Sequence, residues 1–582
     1  MMVAIIALPS ISKADEGMWL PFLIKRLNHA DMQAKGLQLT AEEIYSVNNS
    51  SLKDAIVSLG GFCTAEVISG KGLLLTNHHC AYGSIQEHST VENDYLTDGF
   101  WAKSLAEEKM NKDLYARFLI RMEDVTNDVL SQLTSEMSEK ERKAKITEVI
   151  NAKKAKAVEG TDYKAVIKDF FYGNEYYMFI YEDYSDVRLV GAPPSSVGKY
   201  GGDTDNWMWP RHTGDFSLMR VYSGPDGKPA APSEANVPLT PKHHLPVSIA
   251  GVKDGDYAMV MGYPGSTDRF LSSWGVQDEL DNHQPTVVEI RDAKLKLMKE
   301  YMDADPAVRI QYAAKYAQVA NYWKYYIGQQ KQLKRNNVLE KKQKLESDFK
   351  NWIEADKDRF EKYGEALDLI KEGIEGQSVN TKANTYLLEA GLTGADLVLF
   401  AFRTGRMMAG GVDNAEKMKE LKEGLLAAAD KHFAESNTEM DKAMMKEMLT
   451  LYKANVDASQ LPSVFTVIDD KFKGDVSKYV DKLYATSIYA SKANLEAFIN
   501  KPSEKALGKD LGAQLAGDMI QMYFSSQGAN GELAEKEEKG YRLFVDGLRK
   551  MEADKKFYPN ANSTMRVTYG TVGDYSAADA VQ

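Results

Sequence analysis

The sequence predicts an α+β multidomain protein, and three observations predict it. At 582 residues the chain is longer than one hydrophobic core organises. Strand-like runs are confined to residues 61–262, whereas residues 276–550 lose their β-branched runs and fill with Lys, Glu, Ala, Leu and Met. The strand pattern then returns at 564–569 in Met-Arg-Val-Thr-Tyr, close to the last residue. Hydrophobic content of 43% and aromatic content of 10% are those of a folded chain rather than a disordered one.

Taken in order, residues 1–14 are mostly apolar and end in Ser12-Lys13-Ala14, which presents small residues where a signal peptidase reads. No basic segment precedes them, so they read as a signal-peptide remnant and predict export. Trp19, Leu20, Phe22, Leu23 and Leu27 have helical spacing and predict a helical lead-in over 15–60. Residues 64–69 and 73–76, split by Gly70-Lys71-Gly72, read as a β-hairpin. Residues 103–170 are charged and helix-prone, predicting a surface excursion. Strands follow at 176–181, 187–190, 216–222, 245–249 and 256–262, with a Pro193-Pro194 loop and a glycine-rich polar segment over 198–214 between the second and third. Beyond 276, Leu345, Phe349, Trp352, Ile353, Phe360, Tyr363, Leu367 and Ile370 keep helical spacing. No later stretch approaches the ~20 apolar residues of a membrane span.

The charge balance is 72 basic against 84 acidic residues, net −12. This disfavours nucleic acid as a partner, because phosphate binding needs a basic face. The two cysteines, Cys63 and Cys80, flank the predicted hairpin. A Cys63–Cys80 disulfide there would stabilise by roughly 3 kcal/mol in an oxidising compartment.

The chemistry gathers at Gly72-Leu-Leu-Leu-Thr-Asn-His-His-Cys80, a short apolar strand that delivers histidine to its own end beside a cysteine. Chymotrypsin-type serine peptidases place a general base in this way, which singles out His79. A second pattern, Gly214-Asp-Phe-Ser-Leu-Met-Arg-Val221, sets Asp215 immediately before an alternating strand, where a carboxylate can orient an imidazole and stabilise its charge. A metal reading of His78 and His79 would draw on Asp203, Asp205 and His212. Adjacent residues on a strand point to opposite faces, so the two histidines do not share an ion. No metal and no cofactor is expected.

These residues, with Asp94-Tyr-Leu-Thr-Asp-Gly-Phe100, Pro193-Pro-Ser-Ser-Val-Gly-Lys199, Gly201-Gly-Asp-Thr-Asp-Asn-Trp-Met-Trp-Pro-Arg-His-Thr-Gly-Asp-Phe-Ser217 and Tyr316-Ala-Gln-Val-Ala-Asn-Tyr-Trp323, resemble serine peptidase family forty-six, the family of dipeptidyl-peptidases 7 and 11. The resemblance covers nearly the whole chain. It implies a chymotrypsin-like double β-barrel with a large inserted α-helical domain: a peptidase domain over 15–275, a helical cap over 276–555, and a return to an incomplete second barrel over 556–582. It implies a dipeptidyl aminopeptidase that removes dipeptides from oligopeptides with a free N-terminus, periplasmic or at the cell surface, as a homodimer. His79 would be the base and Asp215 its acid, with Asn206, Trp207 and Asn321 holding the substrate's α-amino group. The family's nucleophile lies in a Gly-Asn-Ser-Gly-Ser segment near the C-terminus, and these 582 residues contain none. Ser266, in Gly-Ser-Thr-Asp, is the nearest Gly-Ser context but matches a structural turn. The expectation is a fragment inactive as given. The alternatives are a pseudopeptidase that binds peptide N-termini without cutting, and a metal-dependent hydrolase.

Overall fold

The computed structural model describes residues 16–574. The proposed signal remnant, residues 1–14, lies outside them. The chain forms a mixed α/β structure: one large antiparallel sheet, a layer of helices, and a small two-stranded sheet.

The large sheet has 11 strands. Its principal members are β1 (Ile56–Leu59), β2 (Cys63–Val67), β3 (Leu73–Thr76), β4 (Ala116–Asp124), β5 (Lys164–Phe170), β6 (Glu175–Tyr184), β7 (Asp186–Ala192) and β8 (Ser217–Ser223). Their order across the sheet is β7-β8-β3-β2-β1-β4-β6-β5, every pair antiparallel. The β2–β3 hairpin forms as its turn residues dictate. Ser69 Oγ accepts from the Lys71 and Leu73 amides, both at 3.2 Å. Gly72 takes φ +61°, and a Cβ there would lie 2.8 Å from the Val221 carbonyl, so only glycine fits. The strands enclose a core of Val57, Leu59, Ala65, Val67, Leu74, Val187, Leu189, Met219 and Val221.

Three expectations need correction. The lead-in over 15–60 is broken into short turns of helix at Pro21–Leu23, Ile24–Leu27, His29–Ala34 and Ala41–Ile44, and it ends in β1. The first of these turns is preceded by Trp19, whose backbone pairs with Val567 in both directions at 2.8 Å, which holds that stretch to a strand. The segment 103–170 is not only an excursion. Its helix α2 (Glu139–Ala157) opens on a Ser138/Glu141 capping box, but β4 and β5 on either side belong to the sheet. The strand expected at 245–249 does not form: the Leu245 amide donates to the Val67 carbonyl at 2.8 Å, but the pairing goes no further, and Val247 is 64% exposed and Ile249 99%.

The helical layer includes α3 (Gln284–Ala304), α4 (Pro306–Arg335), α5 (Val338–Glu354), α6 (Ala366–Tyr386) and α7 (Gly531–Met551). Its largest core is built from Tyr, Phe, Leu and Met, among them Tyr386, Tyr452, Met448, Phe465 and Tyr479. Among the described residues no single helix is long and apolar enough to cross a membrane. After α7 the chain returns to strand as β10 (Arg566–Thr571), antiparallel to β9 (Tyr257–Gly262). Arg566 is buried, and among the described residues no carboxylate pairs with it. Its guanidinium is held by the carbonyls of Met18, Pro559 and Asn560 and by Thr564 Oγ1 and Asn562 Oδ1.

Candidate active site

The antiparallel register of β3 and β8 sets Thr76 opposite Ser217, which brings the residues just beyond each strand, Asn77 and Asp215, side by side. His79 is not at a strand end, as the sequence suggested, but in the first turn of helix α1 (His78–Glu87). Asn77 occupies the N-cap position, where an asparagine side chain ordinarily bonds its own helix. Here it does not. Its Nδ2 donates instead to the Asp215 carbonyl (3.1 Å) and carboxylate (3.3 Å). Asp215 takes over the cap, its Oδ1 accepting from the His79 amide at 3.0 Å. A helix N-terminus favours such an anion.

The other carboxylate oxygen, Oδ2, lies 2.6 Å from His79 Nδ1. An ionised carboxylate only accepts, so Nδ1 carries a hydrogen, and in the neutral imidazole the lone pair is on Nε2. Burial pushes the Asp215 carboxyl up. The hydrogen bond and charge of His79, with the His79 amide, outweigh it and hold Asp215 below the usual carboxylate range. The His79 side chain is 69% exposed toward the cleft. His78 points the other way and is 1% exposed. Its ring lies edge-on to Tyr82 and flat against Gly198, where a Cβ would stand 2.3 Å from the ring. Burial pushes the His78 pKa down, which keeps it neutral.

Cys63, at the start of β2, and Cys80, beside His79, have their sulfurs 1.95 Å apart. Among the described residues the grouping of metal-ligand atoms that does occur is Cys63, His79 and Cys80. Sulfurs bonded to one another offer no thiolate to a metal. Asp203, Asp205 and His212 do not gather into a ligand set.

Asn206, Trp207 and Asn321 come together across the cleft. Trp207 Nε1, a donor only, points at Asn321 Oδ1 (3.0 Å) and at the Asn321 carbonyl (3.1 Å). That fixes the orientation of the Asn321 amide, which then accepts from Asn206 Nδ2 at 2.9 Å. Asn206 Oδ1 is thereby turned outward, and among the described residues no donor reaches it. Trp207 holds φ +59°, a region that bulky residues rarely occupy, and its ring packs on Tyr325 at 4.9 Å. An amide oxygen beside an aromatic face suits an ammonium. The loop carrying Asn206 and Trp207 is closed at its base by the Gly214 amide donating to the Val197 carbonyl, so it starts beside His78 and ends beside Asp215. One cleft of about 2520 Å³ is lined by all five of His79, Asp215, Asn206, Trp207 and Asn321, and by Ser266. Ser266 sits in a backbone bridge with Asn562. Asn77 is the member that sequence reasoning passed over. An asparagine just before a helix reads as an ordinary cap, and its reach across to β8 is visible only in three dimensions.

The Peptidase S46 family model matches residues 14–582. Dipeptidyl-peptidase 7 of Capnocytophaga gingivalis is 42% identical over 577 residues, 97% of this chain and 78% of the relative. The Asp/Glu-specific dipeptidyl-peptidase of Flavobacterium psychrophilum is 38% identical over 570 residues, 97% of this chain and 79% of the relative. The crystal structure of Porphyromonas endodontalis DPP11 in complex with the dipeptide Arg-Glu is similar at a TM-score of 0.88 and 34% identity, over 98% of this chain and 82% of that one.

Proposed function

The chain belongs to the peptidase S46 family, and from that premise we propose that it binds the free N-terminus of an oligopeptide and presents the bond after the second residue to His79. The observation that carries this is the placing of two devices in one cleft: the 2.6 Å His79–Asp215 pair and the Asn206–Trp207–Asn321 cluster. Asp215 holds Nδ1, so Nε2 is the atom that would take a proton from a serine hydroxyl. Asn206 Oδ1 and the Trp207 face would receive the substrate ammonium, and a chain without a free amine would lose that contact. The relatives named above as dipeptidyl-peptidases support two residues as the product length.

The 582 residues include base and acid but no serine in a Gly-Asn-Ser-Gly-Ser setting, and the outcome expected of them alone is binding without cutting. The pairing of β9 with β10, apart from the large sheet, supports a second barrel. The pairing of the two cysteines, Cys63 with Cys80, supports export to the periplasm or cell surface. Homodimer formation rests on the family resemblance.

The test is calorimetry on the 582-residue chain with a dipeptide and its N-acetylated form, beside a dipeptidyl-coumarin turnover assay. The free amine should bind about tenfold tighter, roughly 1.4 kcal/mol, and no coumarin should be released. Equal binding would sink the ammonium anchor. Turnover abolished by Ser266→Ala would assign the nucleophile to Ser266 and overturn the non-cutting reading.

A further inference from the structure

The base and the ammonium anchor stand on different parts of the chain. His79 is on α1, beside the sheet, and Asn321 is on α4, in the helical layer. One side chain of α1, Gln86, bridges the two elements. Its Nε2 donates to the Gln311 carbonyl at 3.0 Å, and its Oε1 accepts from the Ala314 amide at 2.6 Å. One carboxamide thus engages a carbonyl and an amide of the α4 backbone together, as an inserted peptide group would. The Ala314 amide has one hydrogen to give, so Gln86 competes for it with the Ile310 carbonyl one turn back. A carboxamide provides the needed donor and acceptor; a carboxylate or a hydrocarbon does not.

The placement is symmetrical. Gln86 lies about two turns along α1 from His79, and Asn321 about two turns along α4 from Ala314. Beneath the clamp, Ala81 and Ile85 of α1 share one core with Ile310 and Ala313 of α4. Two other ties between this end of α4 and the sheet side of the cleft are made by side chains alone. Arg309 pairs with Asp94 at 2.5 Å, and Lys199 lies over the Tyr82 and Tyr316 rings at 5.7 and 5.9 Å. Long side chains pivot; a bond pair to the helix backbone fixes the helix along its own axis.

We infer that Gln86 is a positioning residue whose clamp on α4 sets the distance between the amine anchor and the base, and so the number of residues that fits between them. The inference rests on the proposed function. Two extended residues span about 7 Å and each further one adds about 3.5 Å, so the site must hold its spacing to well within one residue to count to two.

Two measurements on the 582-residue chain test it. The first needs no ligand: amide hydrogen exchange over residues 308–321 should be about tenfold faster in Gln86→Leu. Gln86→Glu keeps an acceptor for Ala314 but faces the Gln311 carbonyl without a donor, so exchange should quicken there too. It serves if the leucine variant does not fold. The second is affinity for a dipeptide against its N-acetylated form. Both variants should bind the free-amine dipeptide about tenfold more weakly and move the free-to-acetylated affinity ratio toward one, whereas a general loosening would lower both affinities alike. Unchanged exchange in the variants overturns the clamp. Faster exchange with an unchanged affinity ratio overturns its positioning role. If the unsubstituted chain shows no preference for a free amine, the ammonium reading fails first, and the exchange comparison still decides whether Gln86 holds α4.

Discussion

The sheet and the helical layer both bring side chains to the cleft, but they hold them by different physics. On the sheet side, His79, Asp215 and Asn77 are bonded to one another within a few residues of the atoms that act. On the helical side, Asn321 rides on a 30-residue helix whose position depends on a large apolar core and on contacts with α1. The chemistry is therefore local on one side and inherited from packing on the other. Substitutions in the sheet-side cluster should change function with little cost in stability. Substitutions deep in the helical core should do the reverse.

The largest effect that would break this contrast lies in the helical core. Phe465 is buried and packs edge-on to Tyr452 at 5.3 Å. Phe465→Ala should cost about 3–5 kcal/mol in chemical denaturation while leaving dipeptide affinity nearly unchanged below the transition. A parallel loss of affinity would mean that the anchor senses the distant core directly.

The next effect is on the sheet side. Thiol titration of oxidised, denatured chain should find no free thiol, and reduction should lower stability by roughly 3 kcal/mol. Because Cys80 is the neighbour of His79, the reduced protein should also show altered peptide binding at pH 7. Two free thiols before reduction would remove the bridge from the account.

The smallest effect is a slope. His432 stacks on Phe400 at 4.1 Å, and burial pushes its pKa down to about 4. An unfolded histidine titrates near 6.5. As pH falls from about 6.5 toward 4 the unfolded chain takes the proton first, so stability complete above that window is lost across it. Burial pushes the Asp441 carboxyl up, which acts with the opposite sign in the same range. The informative quantity is thus the difference between the unsubstituted chain and His432→Phe, which should be flatter between pH 6.5 and 4 in urea titrations. Identical slopes would show that His432 is already solvated.

The sequence carried some features well and others not at all, and the reasons are physical. The β2–β3 hairpin and the helical half were legible because turn glycines and 3.6-residue spacing are local signals. His79 and Asp215 were legible because each ends or begins a strand-like run. The short strand β1 was hidden in a helical-looking lead-in, because burial on both faces erases alternation. Residues 245–249 have strand patterning, yet one backbone bond, Leu245 to Val67, does not make a ladder. Asn77 and Gln86 were invisible for a related reason. Each is an ordinary polar residue whose partner is 138 or 225 positions away.

The caged Arg566 has a consequence for how the molecule is made. Its guanidinium closes on the Met18 carbonyl, 548 residues away in sequence, next to the backbone pairing of Trp19 with Val567. During synthesis the Met18–Trp19 stretch must wait for more than 540 further residues before its partner exists. Contacts of such separation form late and slowly. The Met18–Trp19 stretch therefore stays without its partner until residues 559–567 have been made.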